Sequence, residues 1–214
     1  MKHWNKYILF PVSKQVFIAV FLIAIINSRS VAQCPANIDF ETGTFTGWQC
    51  WDGDVNAVGT QNQITLLPLA APDPTKHIML SSIPGDGLDK YAKIPRNCPN
   101  GSGHSIQLGN EQNGHFAQGL SYQFTIPATA SKFKLLVNYA LVMQDPDHND
   151  FQQPRFEIET KNITDNVIIP CSTKDFVTGQ FPGLKRTFVS IAGIEVLYKD
   201  WSGFSINSFT LNTD

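Results

Sequence analysis

The sequence predicts an all-β domain, built as an antiparallel β-sandwich, that follows an N-terminal signal helix. Two observations carry this prediction. Turn-forming residues are evenly spread along the 214-residue chain, with 15 Gly and 13 Pro, and this spacing is typical of many short strands. Alternating apolar and polar residues recur, whereas long stretches with the 3.6-residue period of a helix are missing. We therefore expect very little helix.

Residues 1–32 have the order of a secretory signal peptide. A basic segment is followed by the apolar run 16–26 and by the small residues Ser30-Val31-Ala32, which is the order that directs export and cleavage. The run is shorter than the roughly 20 residues of a membrane span, although an uncleaved anchor is the alternative. Lipidation at Cys34 is not expected, because Gln33 stands where a lipobox needs a small residue. We expect a secreted or cell-surface bacterial protein without a membrane span after cleavage.

Residues 33–214 are enough for a single domain with its own core, and no linker divides them. The clearest strand is 132–143, where large apolar side chains alternate and most intervening side chains are apolar too. That pattern is typical of a central strand buried on both faces. Shorter strands are predicted at 37–40, 63–67, 78–80, 105–108, 120–126, 155–159, 167–169, 187–197 and 204–211.

The charge and the cysteine content limit the classes of protein that fit this sequence. The net charge is −2, and no basic patch is present to hold nucleic acid. All four cysteines follow the cleavage point, and an even number in an exported chain indicates disulfides. Three pairings are open. We favour Cys34–Cys50, which closes a short loop, and this choice leaves Cys98–Cys171.

The start of the mature chain contains the motif N-x-D-F-E-x-G-x-F-x-G-W, from Asn37 to Trp48. This motif resembles the first strand of jelly-roll modules such as carbohydrate-binding modules. The resemblance implies that Phe40 and Trp48 fill the core. It also implies that Glu41 meets a structural cation or a cluster of backbone amides.

Further motifs extend the resemblance over nearly the whole mature chain. In order, they are similar to the N-terminal module of large secreted bacterial surface adhesins that carry PKD repeats and are associated with gliding motility. The resemblance implies adhesion or glycan binding. Relatives continue with at least one more strand, so we expect either a short secreted form or a truncated domain that lacks its last strands. The motifs are GDGLD (85–89), NGSGHSIQLGN (100–110), QDPDH (144–148), QPRF (153–156) and YKDW (198–201).

Two groups of carboxylates are candidate ligands for a structural Ca²⁺, since this ion prefers oxygen donors. Asp39 and Glu41 form the first group, and the alternative role for Glu41 is to cap backbone amides. Asp145, Asp147 and Asp150 form the second, and the alternative there is a polar hairpin loop. No other cofactor is expected.

Three aromatic side chains are candidates for stacking on a sugar ring. Trp51 is the strongest of them, because it precedes Asp52-Gly53-Asp54, which we predict to be an exposed loop. Tyr91 and Trp201 are weaker, and Trp201 belongs to one of the family motifs. Trp48 is expected to be buried.

The chain lacks the HExxH and GxSxG motifs of zinc proteases and serine hydrolases. We therefore predict a non-catalytic module, and the resemblance implies that it binds a glycan or a protein partner at the cell surface. A secreted glycosidase-like hydrolase, or an accessory module of one, is an alternative. Glycosidases use two carboxylates, and the sequence does not exclude such a pair. A structural cap on a surface protein is the third hypothesis.

Overall fold

The computed structural model describes residues 34–83, 85–112, 114–126, 133–169, 171–187 and 193–207. The chain divides into two units, 1–34 and 35–214, and only the second is described below. The predicted signal peptide, 1–32, lies outside the described residues.

The described residues form an almost purely β structure in which all strand pairs are antiparallel. One 3-10 turn, Asp150–Gln152, is the helical element in this part of the chain. The all-β prediction is confirmed, while the sandwich arrangement stays a prediction. The strands are β1 (Trp48–Val58), β2 (Gln61–Pro68), β3 (His77–Ser81), β4 (His104–Leu108), β5 (Phe116–Tyr122), β6 (Lys134–Asp145), β7 (Arg155–Ile158), β8 (Lys161–Asn162), β9 (Val167–Ile168), β10 (Lys174–Val177), β11 (Lys185–Arg186) and β12 (Glu195–Asn207).

Strands β2, β1 and β5 form the N-terminal sheet, with β1 in the centre. Trp51 of β1 lies opposite Pro68 of β2 and Gly119 of β5. Because directly opposed residues point to the same side of an antiparallel sheet, the sheet has two distinct faces. We call one of them the Trp51 face; its members include Trp51, Val55, Ile64, Leu66 and Gly119.

The opposite face of the N-terminal sheet contacts the start of β3. Lys76, just before β3, forms an ion pair of 2.6 Å with Asp52. His77 is almost fully buried, and its Nε2 lies 3.1 Å from the Trp51 carbonyl and 3.3 Å from the Gly119 carbonyl. Two carbonyl partners require Nε2 to carry the proton and donate it. These contacts attach the β3–β4 hairpin to β1 and β5.

Strands β11, β12 and β6 form the C-terminal sheet, with β12 in the centre. The pairing of β12 with β6 is interrupted between Lys199 and Ser202. The nearby β7–β10 pair supplies Phe176, which is 2% exposed, stacks with Phe156 and meets Tyr139 at a tilted angle. Aromatic rings in contact bury much apolar area, so this cluster is a main part of the core.

Three strand predictions require correction. Residues 37–40 form a turn, because Asn37 and Phe40 have the positive φ angles of 57° and 62°, which a strand does not use. The predicted loop 52–54 lies inside β1. Strand β6 is an outer strand whose Leu136 is 59% exposed, so it is not buried on both faces.

The C-terminal strands also differ from the prediction. We expected two strands, at 187–197 and 204–211, but a single long strand, β12, continues from Glu195 to Asn207. The irregularity at Lys199/Ser202 absorbs the polar residues that separate the two apolar stretches. Residues 208–211 lie outside the described part of the chain.

The structure contains neither of the predicted disulfides, Cys34–Cys50 and Cys98–Cys171, since all four cysteines are free in it. Cys50 and Cys98 are buried, whereas Cys34 and Cys171 are exposed. Burial also raises the pKa of the Cys50 thiol.

Candidate functional site

A groove of about 440 Å³ lies beside the first residues of β1. Its walls are two chain segments, 44–50 and 69–72. We call it the N-terminal groove. Its size falls within the range of small-molecule sites in proteins. The lining residues are Thr44, Phe45, Thr46, Trp48, Gln49, Cys50, Leu69, Ala70, Ala71 and Pro72.

The side chain of Asn37 shapes the first wall of the groove. Its Nδ2 donates to the carbonyl oxygens of Thr44 at 3.0 Å and of Thr46 at 2.8 Å. Its Oδ1 accepts from the backbone N–H and the hydroxyl of Thr42. Asn is among the few residues that adopt a positive φ easily, which explains why this residue suits the turn. One side chain thus fixes the loop 42–46.

Three threonine hydroxyls lie side by side on this loop, and we call them the threonine ladder. Thr42 gives its proton to the Asn37 side-chain oxygen, and Thr44 donates to Thr46 at 2.9 Å. The Thr42 and Thr44 oxygens lie 2.8 Å apart, but neither has a proton left for that contact. A hydroxyl has one proton and two lone pairs. Since Thr46 accepts within the ladder, its own proton is left to donate to another acceptor. Thr46 lines the groove, so this donor is placed where a ligand would lie.

Aromatic rings hold the base of the same wall. Trp48 stacks on Phe40 with ring centroids 4.3 Å apart, and Phe45 meets Phe40 edge-on. The Trp48 indole N–H donates to the Asn37 carbonyl at 2.9 Å. Trp48 is half-buried and not fully enclosed, contrary to the expected burial, because one side of it borders the groove.

The second wall is attached to β1 through Gln49. Its Nε2 donates to the Cys50 and Leu69 carbonyls, both at 2.8 Å. The Leu69 N–H donates to the Cys50 carbonyl at 2.9 Å. The second wall itself is formed by small and apolar residues, 69–72. The groove therefore combines hydroxyl groups, an aromatic edge and an apolar wall, and none of its lining side chains is charged.

Trp51 lies outside the groove, on the Trp51 face in the middle of β1. Its indole N–H donates to the Ser121 hydroxyl at 2.9 Å. Gly119 has no side chain at this point, and a Cβ there would lie 3.5 Å from Trp51 and 3.3 Å from Leu66. Trp51 is half-buried between its neighbours, since the predicted loop is a strand.

The other two predicted aromatic residues are engaged elsewhere. The Tyr91 hydroxyl donates to Glu111 at 3.0 Å, and Lys90 lies over the ring and pairs with the same carboxylate. Trp201 occupies the interruption of β12, and its indole N–H donates to the Pro95 carbonyl at 2.7 Å. The structure does not bring Trp51, Tyr91 and Trp201 together into one site.

Glu41 is bound to the segment before β4. It accepts hydrogen bonds from the Ser102 hydroxyl and from the Gly103 N–H, the latter at 2.9 Å. The hydrogen bond from Ser102 is the main reason that the pKa of Glu41 lies below its usual value. Asp39 accepts from the Glu41 N–H at 3.2 Å. The carboxylate of Glu41 thus caps backbone and hydroxyl donors.

The second carboxylate group borders a separate open cavity of about 470 Å³. Asp145 and Asp147 line it together with Glu195, which pairs with Arg186. Asp150 begins the 3-10 turn and does not line the cavity. Within the described ranges, no three His, Cys, Asp or Glu side chains form a group able to hold a metal ion. The calcium sites stay predictions.

The residues that build the groove were not among the predicted site residues. The strongest candidate was Trp51, whereas the groove depends on Asn37, Phe45 and the threonine hydroxyls. The alternation Thr42-x-Thr44-x-Thr46 was visible in the sequence. The contact between these hydroxyls depends on the positive φ of Asn37, which folds the loop back on itself.

Comparisons with protein-family models, with curated proteins and with solved structures found no match to this chain. In the part of the chain that the structure describes, no helix has the length and apolar character needed to cross a bilayer.

Proposed function

We propose that this protein is a non-catalytic, secreted module of a bacterial surface adhesin, with a jelly-roll-like sandwich fold, and that it binds a neutral glycan in the N-terminal groove. The observation that supports it most strongly is the pairing of an aromatic wall with a hydroxyl donor. Phe45 and Trp48 supply the apolar surface, and Thr46 supplies the donor.

A sugar ring has the matching chemistry. One side of a pyranose is apolar and its rim carries hydroxyl groups, so it needs both an apolar wall and hydrogen-bonding partners. The groove offers no charged side chain, which favours a neutral sugar over a sialylated or sulfated one. The Asn37 bonds and the threonine ladder hold the loop before a ligand arrives, and preorganisation lowers the cost of binding.

A glycan array containing neutral and acidic oligosaccharides tests the proposal with the purified protein. We expect binding to neutral glycans. Phe45→Ala and Thr46→Val should each weaken the affinity for the bound array glycans about tenfold or more, which corresponds to about 1.4 kcal/mol. Isothermal titration with those glycans measures the change.

Matched variants separate the groove from general effects on the protein. Phe116→Ala removes a ring that is exposed on β5, and Thr164→Val changes an exposed hairpin residue; both should leave binding unchanged. Loss of binding in Trp51→Ala, with Phe45→Ala unaffected, would move the site to the Trp51 face. A protein that binds no neutral glycan on the array contradicts the proposal.

The cavity lined by Asp145, Asp147 and Glu195 is the feature that favours the alternative of a glycosidase-like hydrolase, since such enzymes use paired carboxylates. Incubation of the bound glycans with the protein, followed by mass spectrometry of the products, distinguishes the two. We expect intact glycans. Cleavage that is lost in Asp145→Asn or Glu195→Gln would replace the binding function by an enzymatic one.

A further inference from the structure

The outer strand of the N-terminal sheet, β2, has an open edge. Among the described residues it pairs with β1 alone, over the full length from Gln61 to Pro68 and without a bulge. The 3-10 turn Asp150–Gln152 approaches β2, yet seven of the eight side chains of β2 remain exposed. A regular, exposed outer strand is a template on which another strand can pair.

The pairing pattern shows which backbone groups face outward. The Leu69 N–H donates to the Cys50 carbonyl, so Cys50 and Leu69 form a hydrogen-bonded pair. Hydrogen-bonded and non-hydrogen-bonded pairs alternate along an antiparallel ladder. The odd-numbered residues of β2 therefore point their N–H and C=O groups toward β1. The even-numbered residues Asn62, Ile64 and Leu66 point theirs toward the open edge.

Contacts on the other side of β1 agree with this assignment. The Val55 N–H donates to the His115 carbonyl at 2.7 Å, so the odd-numbered residues of β1 face β5 and the even-numbered ones face β2. The outward-pointing, even-numbered residues of β2 end at Pro68, which has no N–H to donate. The three that can both donate and accept are centred on Ile64, with Asn62 and Leu66 at equal distances along the strand.

Apart from Pro68 at its end, strand β2 lacks the features by which proteins protect an outer strand. It carries no charged residue in the sequence QNQITLLP, whereas charged side chains on the strand are a common protection. The outer strand β6 of the C-terminal sheet carries Lys134 and Asp145. Strand β5 is also uncharged, but five of its seven residues are half-buried. Among the strands that the structure describes, the uncharged edge that is both long and exposed is therefore that of β2.

We propose that β2 is a self-association edge, at which two copies of this chain pair antiparallel about a two-fold axis through Ile64. In this register Ile64 lies opposite the same residue of the second copy, and Asn62 lies opposite Leu66. All three outward residues then exchange N–H···O=C bonds with the second copy. Because β2 is uncharged, the two copies meet without like-charge repulsion.

The pairing joins the two N-terminal sheets into one continuous sheet. The two-fold axis is perpendicular to the sheet, so the Trp51 faces of both copies lie on the same side. Ile64 and Leu66 are 43% and 36% accessible. Ile64 becomes the direct neighbour of the second copy's Ile64, and Leu66 lies diagonally across from that same Ile64. This apolar contact adds to the backbone bonds. The inference does not depend on the proposed glycan.

Sedimentation velocity of the purified full-length protein across a concentration series tests the association. We expect a reversible monomer–dimer equilibrium. Ile64→Lys places two like charges against each other at the axis and should raise the dimer dissociation constant at least tenfold. Ile83→Lys makes the same change at a site that is 84% exposed and outside the strands, and should leave the equilibrium unchanged.

A proline variant provides a second measurement that does not introduce a charge. Ile64→Pro removes an outward N–H and leaves the β1–β2 bonds in place, since proline is tolerated on outer strands. We expect it to be monomeric, with the circular dichroism spectrum of the unmodified protein.

A cysteine pair tests the register itself, in a background with Cys34→Ser and Cys171→Ser. Ile64→Cys brings two thiols directly opposite each other at about 5.5 Å between Cα atoms, which a disulfide spans. Leu66→Cys places them about 13 Å apart along the strands, too far for a bond. We expect covalent dimers on oxidation of Ile64→Cys alone.

Three results would overturn the proposal. They are a wild-type chain that stays monomeric at all concentrations, an Ile64→Lys variant that dimerises as the wild type does, and cross-linking of Leu66→Cys in place of Ile64→Cys. Glycan binding by a strictly monomeric protein would leave the proposed function standing while removing the β2 pairing.

Discussion

The N-terminal and C-terminal sheets both have one central and two outer strands, yet they use their side chains differently. The C-terminal sheet contributes buried Val196 and Ile206 and lies near the aromatic cluster around Phe176. The N-terminal sheet buries Cys50, and buried His77 attaches to its backbone through hydrogen bonds. The Trp51 face of this sheet leaves Ile64 and Leu66 exposed.

The two sheets thus differ in the interactions that stabilise them and in how much of their surface stays accessible for binding. Burial of large apolar side chains stabilises the C-terminal sheet, whereas specific polar contacts position the N-terminal sheet and keep its surfaces accessible. Both proposed binding features, the groove and the β2 edge, lie on the N-terminal sheet or directly beside it. Variants in both sheets can test whether they differ in this way.

The largest effect is expected from Phe176→Ala in the core beside the C-terminal sheet. Phe176 is 2% exposed and contacts Tyr139, Phe156 and Phe181. Its removal leaves a cavity, and the free energy of unfolding should fall by about 3–5 kcal/mol. Urea unfolding followed by circular dichroism measures this. Phe116→Ala, on β5, is the matched control, and an equal loss there would remove the distinction between the sheets.

A smaller but still large effect is expected from Gly53→Ala in β1. A Cβ at this position would lie 1.8 Å from the Thr65 carbonyl oxygen, so β1 and β2 would have to separate. We expect a loss of about 2–3 kcal/mol in the free energy of unfolding, together with weaker dimerisation. The same urea titration and sedimentation measurements apply.

Gly203→Ala in β12 provides the comparison within the C-terminal sheet. The added Cβ would lie 2.9 Å from the Asn138 side-chain oxygen, and this flexible side chain can move aside. A loss below that of Gly53→Ala is expected. Equal stability of the wild type and Gly53→Ala would show that the close approach of β1 and β2 is not maintained in solution.

The smallest expected effect is on the pH dependence of stability, through the Asp52–Lys76 ion pair. The hydrogen bond from Lys76 is the main reason that the pKa of Asp52 is lowered. A carboxyl with a lower pKa in the folded state stabilises the protein above its unfolded pKa, which is about 3.9, and this stability is lost as the pH falls below it. Asp52→Asn should cost about 1 kcal/mol at neutral pH and flatten the decline in stability in acid.

Thermal unfolding between pH 3 and 7 measures this dependence. The exposed Asp54, two residues further along β1, provides the control variant Asp54→Asn. If both variants retained the wild-type decline in acid, the ion pair would not be its source.

A strand was predicted well where its own residues show the alternation of apolar side chains that is typical of a strand. Strand β6 was found because its apolar residues alternate over many positions. Strand β1 was missed because Asp52, Gly53 and Asp54 have the composition of a turn, and only pairing with both β2 and β5 makes them a strand. Such long-range pairing is not encoded in a short window of sequence.

The groove was beyond prediction for a related reason. Two of its aromatic residues, Phe45 and Trp48, were known from the motif, but their exposure depends on where segment 69–72 returns to β1. The capping role of Glu41, in contrast, was among the readings that the sequence allowed, because a carboxylate near a tight turn commonly accepts backbone N–H groups.

The position of Asn37 has a mechanical consequence. The Trp48 indole N–H donates to the Asn37 carbonyl, and the Tyr122 hydroxyl donates to the neighbouring Ala36 carbonyl. These bonds attach the first turn of the domain to β1 and β5. The side chain of the same Asn37 holds the carbonyls of Thr44 and Thr46. A displacement of Asn37 would therefore loosen the first turn and the groove wall together.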